Sequence, residues 1–307
     1  MILMIYIASF IFSLIAIMVM LIYLAPARVV TFALNATRKK SSLVRKEITL
    51  PNGLHYVYLE GGQGEPLMLL HGFGGNKDTF TYVSKYLVKR YRVIIPDIIG
   101  FGESSHPQQA DYSPTAQAEQ LRLLSQALHL EKLHLAGNSM GGQIALLYAA
   151  LYPSEVNSLW LLSPAGIWSV QNNLLNTISQ TGHNPLVANN LDEYRNVMAL
   201  GMRKPPFIPQ PMLKVLAQER FDNVALETVI FEQIMAQSIE QQIKGMPVPT
   251  LIVFGEQDRV IPVETANVLS ELLPHSKVIL MPNIGHVAMF EKPAQCAKDY
   301  ILFRDII

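Results

Sequence analysis

The stretch LHLAGNSMGGQIALLYAA, residues 133–150, admits few folds. A short apolar run ends at Gly137, helix-forming residues resume just past Gly142, and Ser139 stands between them in the pattern G-x-S-x-G. A chain passing from a buried strand into a helix over so few residues has room only for glycine on either side of the serine, because a larger side chain there meets neighbouring backbone. Such a turn holds the Ser139 hydroxyl out at the carboxyl edge of a sheet. It also sets it at a helix N-terminus, whose free N–H groups favour negative charge on a carbonyl oxygen under attack. By chance the three fixed positions recur in roughly one chain in ten of this length. The strand at Leu133 to Ala136 before them, and the helix formers from Gln143 to Leu151 ending before Pro153, give the pattern its weight.

Composition narrows the partners. The 307 residues can bury a full core in one large domain or two small ones. Because 24 Lys and Arg balance 24 Asp and Glu, nothing electrostatic favours nucleic acid. A lone cysteine, Cys296, excludes an internal disulfide. The mean hydropathy of +0.23 is high for a soluble enzyme, and most of the excess sits at the start. Residues 1–27 carry no charge and are long enough to cross a bilayer core of ~30 Å as a helix, so they read as a transmembrane anchor. An export signal would place a positive segment before a shorter apolar region; one of unusual form is the alternative. Arg28, Arg38, Lys39, Lys40, Arg45 and Lys46 follow with no acid until Glu47. Residues 28–46 therefore read as a basic juxtamembrane linker that keeps the body of the protein on the cytoplasmic side and can lie against anionic lipid.

From residue 47 the chain alternates strand and helix. Residues 48–59, with Asn52-Gly53 as a hairpin turn, and 67–70 read as early strands, and HGFGGNKDTF follows at 71–80. This Gly-rich loop matches neither phosphate-binding pattern, G-x-G-x-x-G or G-x-x-x-x-G-K-[ST]. In an enzyme whose serine sits on such a strand-to-helix turn, a nucleophile elbow, the loop has another use: its glycines let backbone approach a substrate carbonyl, so that the N–H of Phe73 joins that of Met140 as oxyanion donors. His71 reads as an anchor for this loop. Asp97, in PDIIGFGES at 96–104, reads as a loop brace. Ser113-Pro114 opens a helix, as cap and first helical residue, that runs to about Leu128.

After the strand Ser158 to Leu162 the alternation stops until Pro249. The expected division is a core of residues 47–166 and 247–307 with a helical cap of residues 167–246 inserted over the site, where Trp168, Leu186, Met198, Met202, Phe207 and Ile208 could line an acyl pocket. The core resumes with a strand at Thr250 to Phe254 and the loop GEQDRVIP. Asp258 is the preferred triad acid there, with Glu256 in the same loop as competitor. A helix at Pro262 to Leu273, a strand at Lys277 to Met281 and the loop NIGHVAMFEKP bring in His286 and complete the chain order Ser, Asp, His.

A serine hydroxyl is a poor nucleophile at neutral pH and needs an adjacent neutral imidazole, itself held by a carboxylate. Ser139, His286 and Asp258 supply those roles. No metal or other cofactor is called for, and neither H-E-x-x-H nor C-x-x-C occurs. Together HGFGGNKDTF, PDIIGFGES, GNSMGG, SPAG, GEQD and NIGHVAMFEKP resemble the α/β-hydrolase superfamily from about residue 47 to the end. Within it, these strings and the uncharged amino-terminal span look most like the membrane-anchored monoacylglycerol lipases of the abhydrolase-domain type and the bacterial lipases of the Moraxella and Psychrobacter kind. The resemblance implies an α/β fold with a mostly parallel eight-stranded sheet, a cap after the sixth strand, and hydrolysis of carboxylic esters of monoacylglycerols or short to medium acyl chains. It also implies the triad Ser139, Asp258, His286 and the oxyanion donors Phe73 and Met140. Relatives with similar elbows cleave carbon–carbon bonds of ring-fission products, which is the alternative chemistry. A non-catalytic hydrolase-like binding protein is a third.

Overall fold

The computed structural model describes residues 1–170, 178, 182 and 184–307. Eight strands form one sheet: β1 (Val44–Thr49), β2 (His55–Gly61), β3 (Glu65–Leu70), β4 (Tyr91–Pro96), β5 (Leu133–Asn138), β6 (Val156–Leu162), β7 (Thr250–Gly255) and β8 (Ser276–Met281), in the order β1-β2-β4-β3-β5-β6-β7-β8. The β1–β2 and β2–β4 pairs are antiparallel and every later pair is parallel. Gly53, at φ 86°, makes the β1–β2 hairpin turn that Asn52-Gly53 announces.

Two-residue alternation splits the central strands between two cores. Leu67, Leu69, Leu251 and Val253 face one side, with Phe80 and Tyr300. Met68, Leu70, Ile252 and Phe254 face the other, with Ile144 and Leu269. Both faces being covered, β5 and β7 are buried along their whole length, as parallel strands under helices on both sides must be. Ser113 caps the helix Pro114–Ala127 by accepting from the Ala116 N–H at 3.3 Å, with Pro114 in its first turn.

At the amino end, α1 (Ile2–Leu24) is 23 residues long with a mean hydropathy of 2.7 over its most apolar window, and none of it is buried. At ~1.5 Å per residue it matches the ~30 Å bilayer core. The stretch expected as a basic linker is instead folded. Pro26 starts α2 (Pro26–Lys40), and Arg38, Lys39 and Lys40 fall in its last turn, where the helix dipole favours cations. Arg38 then clasps Asp78 through Nε at 2.7 Å and Nη2 at 2.6 Å, tying α2 to the core, and β1 already begins at Val44.

Between β6 and β7 lies the insertion, which includes the helices Leu191–Gly201, Gln210–Asp222 and Val224–Met235. Residues 171–177, 179–181 and 183 of the expected cap lie outside the described residues. Ile230 and Ile234 of the insertion share a buried cluster with Met140, Ile144, Ile98 and Phe101 of the core.

At the opposite edge of the sheet from Ser139, buried His134 on β5 has Nδ1 2.8 Å from Ser158 Oγ and Nε2 3.3 Å from Glu65. Burial, helped by the nearby Arg304 charge, outweighs Glu65 and pushes its pKa down to about 4. An unfolded chain therefore takes up a proton that the folded chain refuses between about pH 6.5 and about 4, so stability falls as pH drops through that window. We expect thermal unfolding scans to show a loss on the order of 2 kcal/mol across it from this residue, and His134→Gln to flatten that dependence. An unchanged pH profile in the variant would assign the loss elsewhere.

Candidate active site

Ser139 joins β5 to the helix Met140–Leu151, which starts directly after it and three residues earlier than the helix formers alone suggest. Its backbone sits at φ 55°, ψ −121°, a region that non-glycine residues rarely occupy. What holds it there is local. The Ser139 N–H donates to Leu162 O at 3.1 Å, and its carbonyl accepts from Gly142, Gln143 and Ala165. A Cβ on Gly137 would strike the Gly141 carbonyl, one on Gly141 the carbonyls of Leu70 and His71, and one on Gly142 would lie 2.6 Å from Pro164 Cβ. The glycines read from the sequence are thus required by packing on three sides.

The HGFGG loop leaves the end of β3 beside this turn. At Gly72 a Cβ would be 3.1 Å from Ser139 Cβ, a tight approach that glycine avoids. His71 fixes it, as expected. Nδ1 is 2.9 Å from Gly72 O and Nε2 accepts from the Ile98 N–H at 3.0 Å, an arrangement that requires a neutral ring with its proton on Nδ1. Full burial pushes the His71 pKa down, which keeps it so. Asp97 is the brace expected of it: fully buried, it accepts from the Lys77 N–H at 2.6 Å, Lys77 Nζ at 2.8 Å and the Glu103 N–H at 2.8 Å. Phe73 and Met140 both border the serine. Among the described residues neither of their N–H groups donates to protein.

The loops after β7 and β8 bring up the other two side chains. His286 Nδ1 lies 2.8 Å from Asp258 Oδ2, while Asp258 Oδ1 accepts from the N–H groups of Val260 and Ile261 at 2.8 and 3.0 Å. Burial alone would push the Asp258 pKa up, but the His286 charge and these hydrogen bonds together hold it below the usual carboxylate range. Glu256, the competing acid, is exposed. Ser139 and His286 line one cavity of about 210 Å³, with Phe73, Leu186, Met198 and Met202 among its walls. A second, smaller compartment of about 30 Å³ shares Ser139, Phe73 and Leu186 and is lined by Trp168, Phe231 and Ile234. Phe207 and Ile208 take no part in either and border a groove beside α1.

Residues 65–293 match the family described as the alpha/beta hydrolase fold. Lipase 3 of Moraxella sp. (strain TA144) is 44% identical over 90% of this chain and 91% of its own length. The chain belongs to the α/β-hydrolase family. Monoacylglycerol lipase ABHD6 of Homo sapiens is 31% identical over 79% of this chain and 76% of its own. Among solved structures, a membrane phospholipase A described as a bacterial virulence factor superposes with a TM-score of 0.88 at 34% identity, covering 98% of both chains.

Three contacts in this α/β-hydrolase escape the motifs. The Asn138 side-chain amide, beside the serine, donates to Leu162 O at 2.9 Å and to His286 O at 3.0 Å, so the elbow itself steadies the histidine loop. From the insertion, Gly201 O accepts the His286 N–H at 2.9 Å. Arg220, buried in the helix Gln210–Asp222, sets its guanidinium against Gly74 and 5.7 Å from the centre of the Phe73 ring, and pairs with buried Glu227 through Nη2 at 2.7 Å. The G-x-S-x-G-x pattern leaves the residue at Asn138 open, and an Arg and a Glu on successive helices carry no signal of pairing. Removing one partner of a buried ion pair strands the other charge. Arg220→Met should therefore lower stability by about 3–5 kcal/mol in denaturant titrations, while the double variant Arg220→Met, Glu227→Met recovers most of it. Equal losses in single and double variants would show that the pair is not coupled.

Proposed function

We propose that this chain is a membrane-anchored serine hydrolase that cleaves carboxylic esters of monoacylglycerols, or of short to medium acyl chains, through an acyl-enzyme on Ser139. The observation that carries the reading is the 2.8 Å contact between His286 Nδ1 and Asp258, made by an imidazole that faces the same cavity as the serine. With the Nδ1 proton donated to Asp258, Nε2 is left as the base.

Ser139 Oγ attacks the ester carbonyl carbon as its proton passes to His286 Nε2, and the carbonyl oxygen gains charge between the N–H groups of Phe73 and Met140. Collapse of that intermediate breaks the bond to the alcohol oxygen, which takes the proton from His286 and leaves. Water then gives its proton to His286 and attacks the acyl-serine, and the reversed proton transfer frees the acid and regenerates the hydroxyl. Throughout, Asp258 stays ionised and stabilises the imidazolium. The apolar walls at Leu186, Val197, Met198 and Met202 suit an acyl chain.

Anchoring rests on α1, and the cytoplasmic side on the basic flank of α2. An enzyme held at a bilayer meets esters that partition there at high local concentration.

Ser139→Ala should lower kcat on monoacylglycerols and p-nitrophenyl acyl esters by a factor on the order of 10⁴ to 10⁶ while leaving the melting temperature near that of the parent; retained turnover would reject the reading. Turnover of a ring-fission dienoate with none of a monoacylglycerol would move the reaction to carbon–carbon cleavage. Protease added outside intact cells should leave the catalytic body uncut, and digestion there would reverse the topology.

A further inference from the structure

The loop between the helices Leu191–Gly201 and Gln210–Asp222 has no role in the chemistry above, yet it carries a conspicuous surface. It reads Met202-Arg-Lys-Pro-Pro-Phe-Ile-Pro209, and Phe207 is 93% exposed at its tip. A soluble surface rarely leaves a phenyl ring so bare beside four other apolar residues. Phe207 does not stand alone: it shares a groove with Val19, Ile22 and Tyr23, residues in the last two turns of the bilayer-length helix α1. The loop tip is thus level with a segment whose composition belongs inside the hydrocarbon layer.

Immediately behind the tip the chemistry changes. Arg203, Lys204 and Lys292 border an adjoining cavity that meets the apolar groove at Pro206. Among the described residues none of the three makes an ion pair. The acid beside them, Glu291, is occupied by backbone: it accepts from Gly285 N at 2.8 Å and Arg203 N at 3.0 Å. In the groove itself the charge of Arg195 is met by Asp192. An apolar wedge backed by unpaired cations is the pattern that binds an anionic bilayer surface.

We propose that residues 203–209, together with Lys292, form a second membrane contact in which Phe207 enters the acyl layer and Arg203, Lys204 and Lys292 meet anionic phospholipid headgroups. This rests on the reading of α1 as a membrane anchor. The contact reaches the site by a short path, because Gly201 O, two residues before Arg203, holds the His286 N–H, and Glu291 links Arg203 N to Gly285 N. Docking the loop therefore turns the cavity mouth at Met198, which borders both the groove and the serine cavity, toward the lipid, and leaves the backbone that carries His286 as it is.

The test uses the full chain reconstituted into vesicles of phosphatidylcholine with or without phosphatidylglycerol. Phe207→Trp adds one indole to the native Trp160 and Trp168. Its emission, taken as the difference from the parent, should be blue-shifted and quenched by lipids brominated on the acyl chain, but not by aqueous iodide. Arg203→Gln with Lys204→Gln should lower hydrolysis of a vesicle-borne monoacylglycerol roughly five-fold or more in phosphatidylglycerol vesicles, and leave a water-soluble short-chain ester unaffected. A chain that floats with the vesicles but keeps residue 207 open to iodide overturns the contact alone. Equal loss on both substrates, or loss on neither, overturns the headgroup role. Failure to float with vesicles overturns the contact and the anchor together.

Discussion

The backbone of Ser139, held at φ 55° and ψ −121°, is the constraint on which the remaining geometry depends. Such a conformation costs about 1–3 kcal/mol and persists only where its surroundings over-determine it. Here they do: glycines on either side admit the neighbouring backbone, the residue's own carbonyl takes three N–H groups, and the sheet edges of β3 and β6 close round the turn. The strain puts one hydroxyl at a helix N-terminus in the middle of a sheet whose carboxyl edge also carries the loops of Phe73, Asp258 and His286. Parallel strands bring Ser139, Phe73 and His286 to one cavity, with Asp258 behind the imidazole, at the edge where ligands bind in folds of this class.

A layer of neutral or paired buried groups keeps that crevice in register. His71 stitches the glycine-rich loop after β3 to Ile98, and Asp97 stitches the next turn to Lys77 and Glu103. Asn138 stitches the elbow to the histidine loop, and Arg220 presses from above on Gly74. Each tether joins segments far apart in sequence, so the loops act as one rigid frame. None of the four side chains is placed to attack a carbonyl. They determine where those that are so placed come to rest.

Much of this frame was legible in the chain. The turn at Ser139, the glycine-rich loop after β3, the loops that carry Asp258 and His286, and the anchoring role of His71 follow from short strings, because strong local requirements for glycine, for a cap or for a loop after a strand leave marks in sequence. The central strands β3, β5, β6 and β7 emerge for the same reason, since buried parallel strands are nearly continuous apolar runs. The folding of residues 26–40 as helix α2 was hidden, because its anchor is a bidentate contact between Arg38 and Asp78, 40 positions away. The contacts of Gly201, Arg220 and Glu227 were hidden likewise: they depend on how the insertion sits on the core, which no periodicity records. Asn138 was present in the motif, but as a free position, and only the fold reveals that its amide reaches the carbonyl of His286.

The most direct measurement of the central claim is to label the reconstituted chain with a fluorophosphonate ester and locate the adduct by peptide mass spectrometry. A serine activated by the Asp258–His286 pair will carry the phosphonyl group on Ser139 alone, and His286→Ala will remove it. An adduct on another residue, or one that forms as fast without the imidazole, would contradict the account.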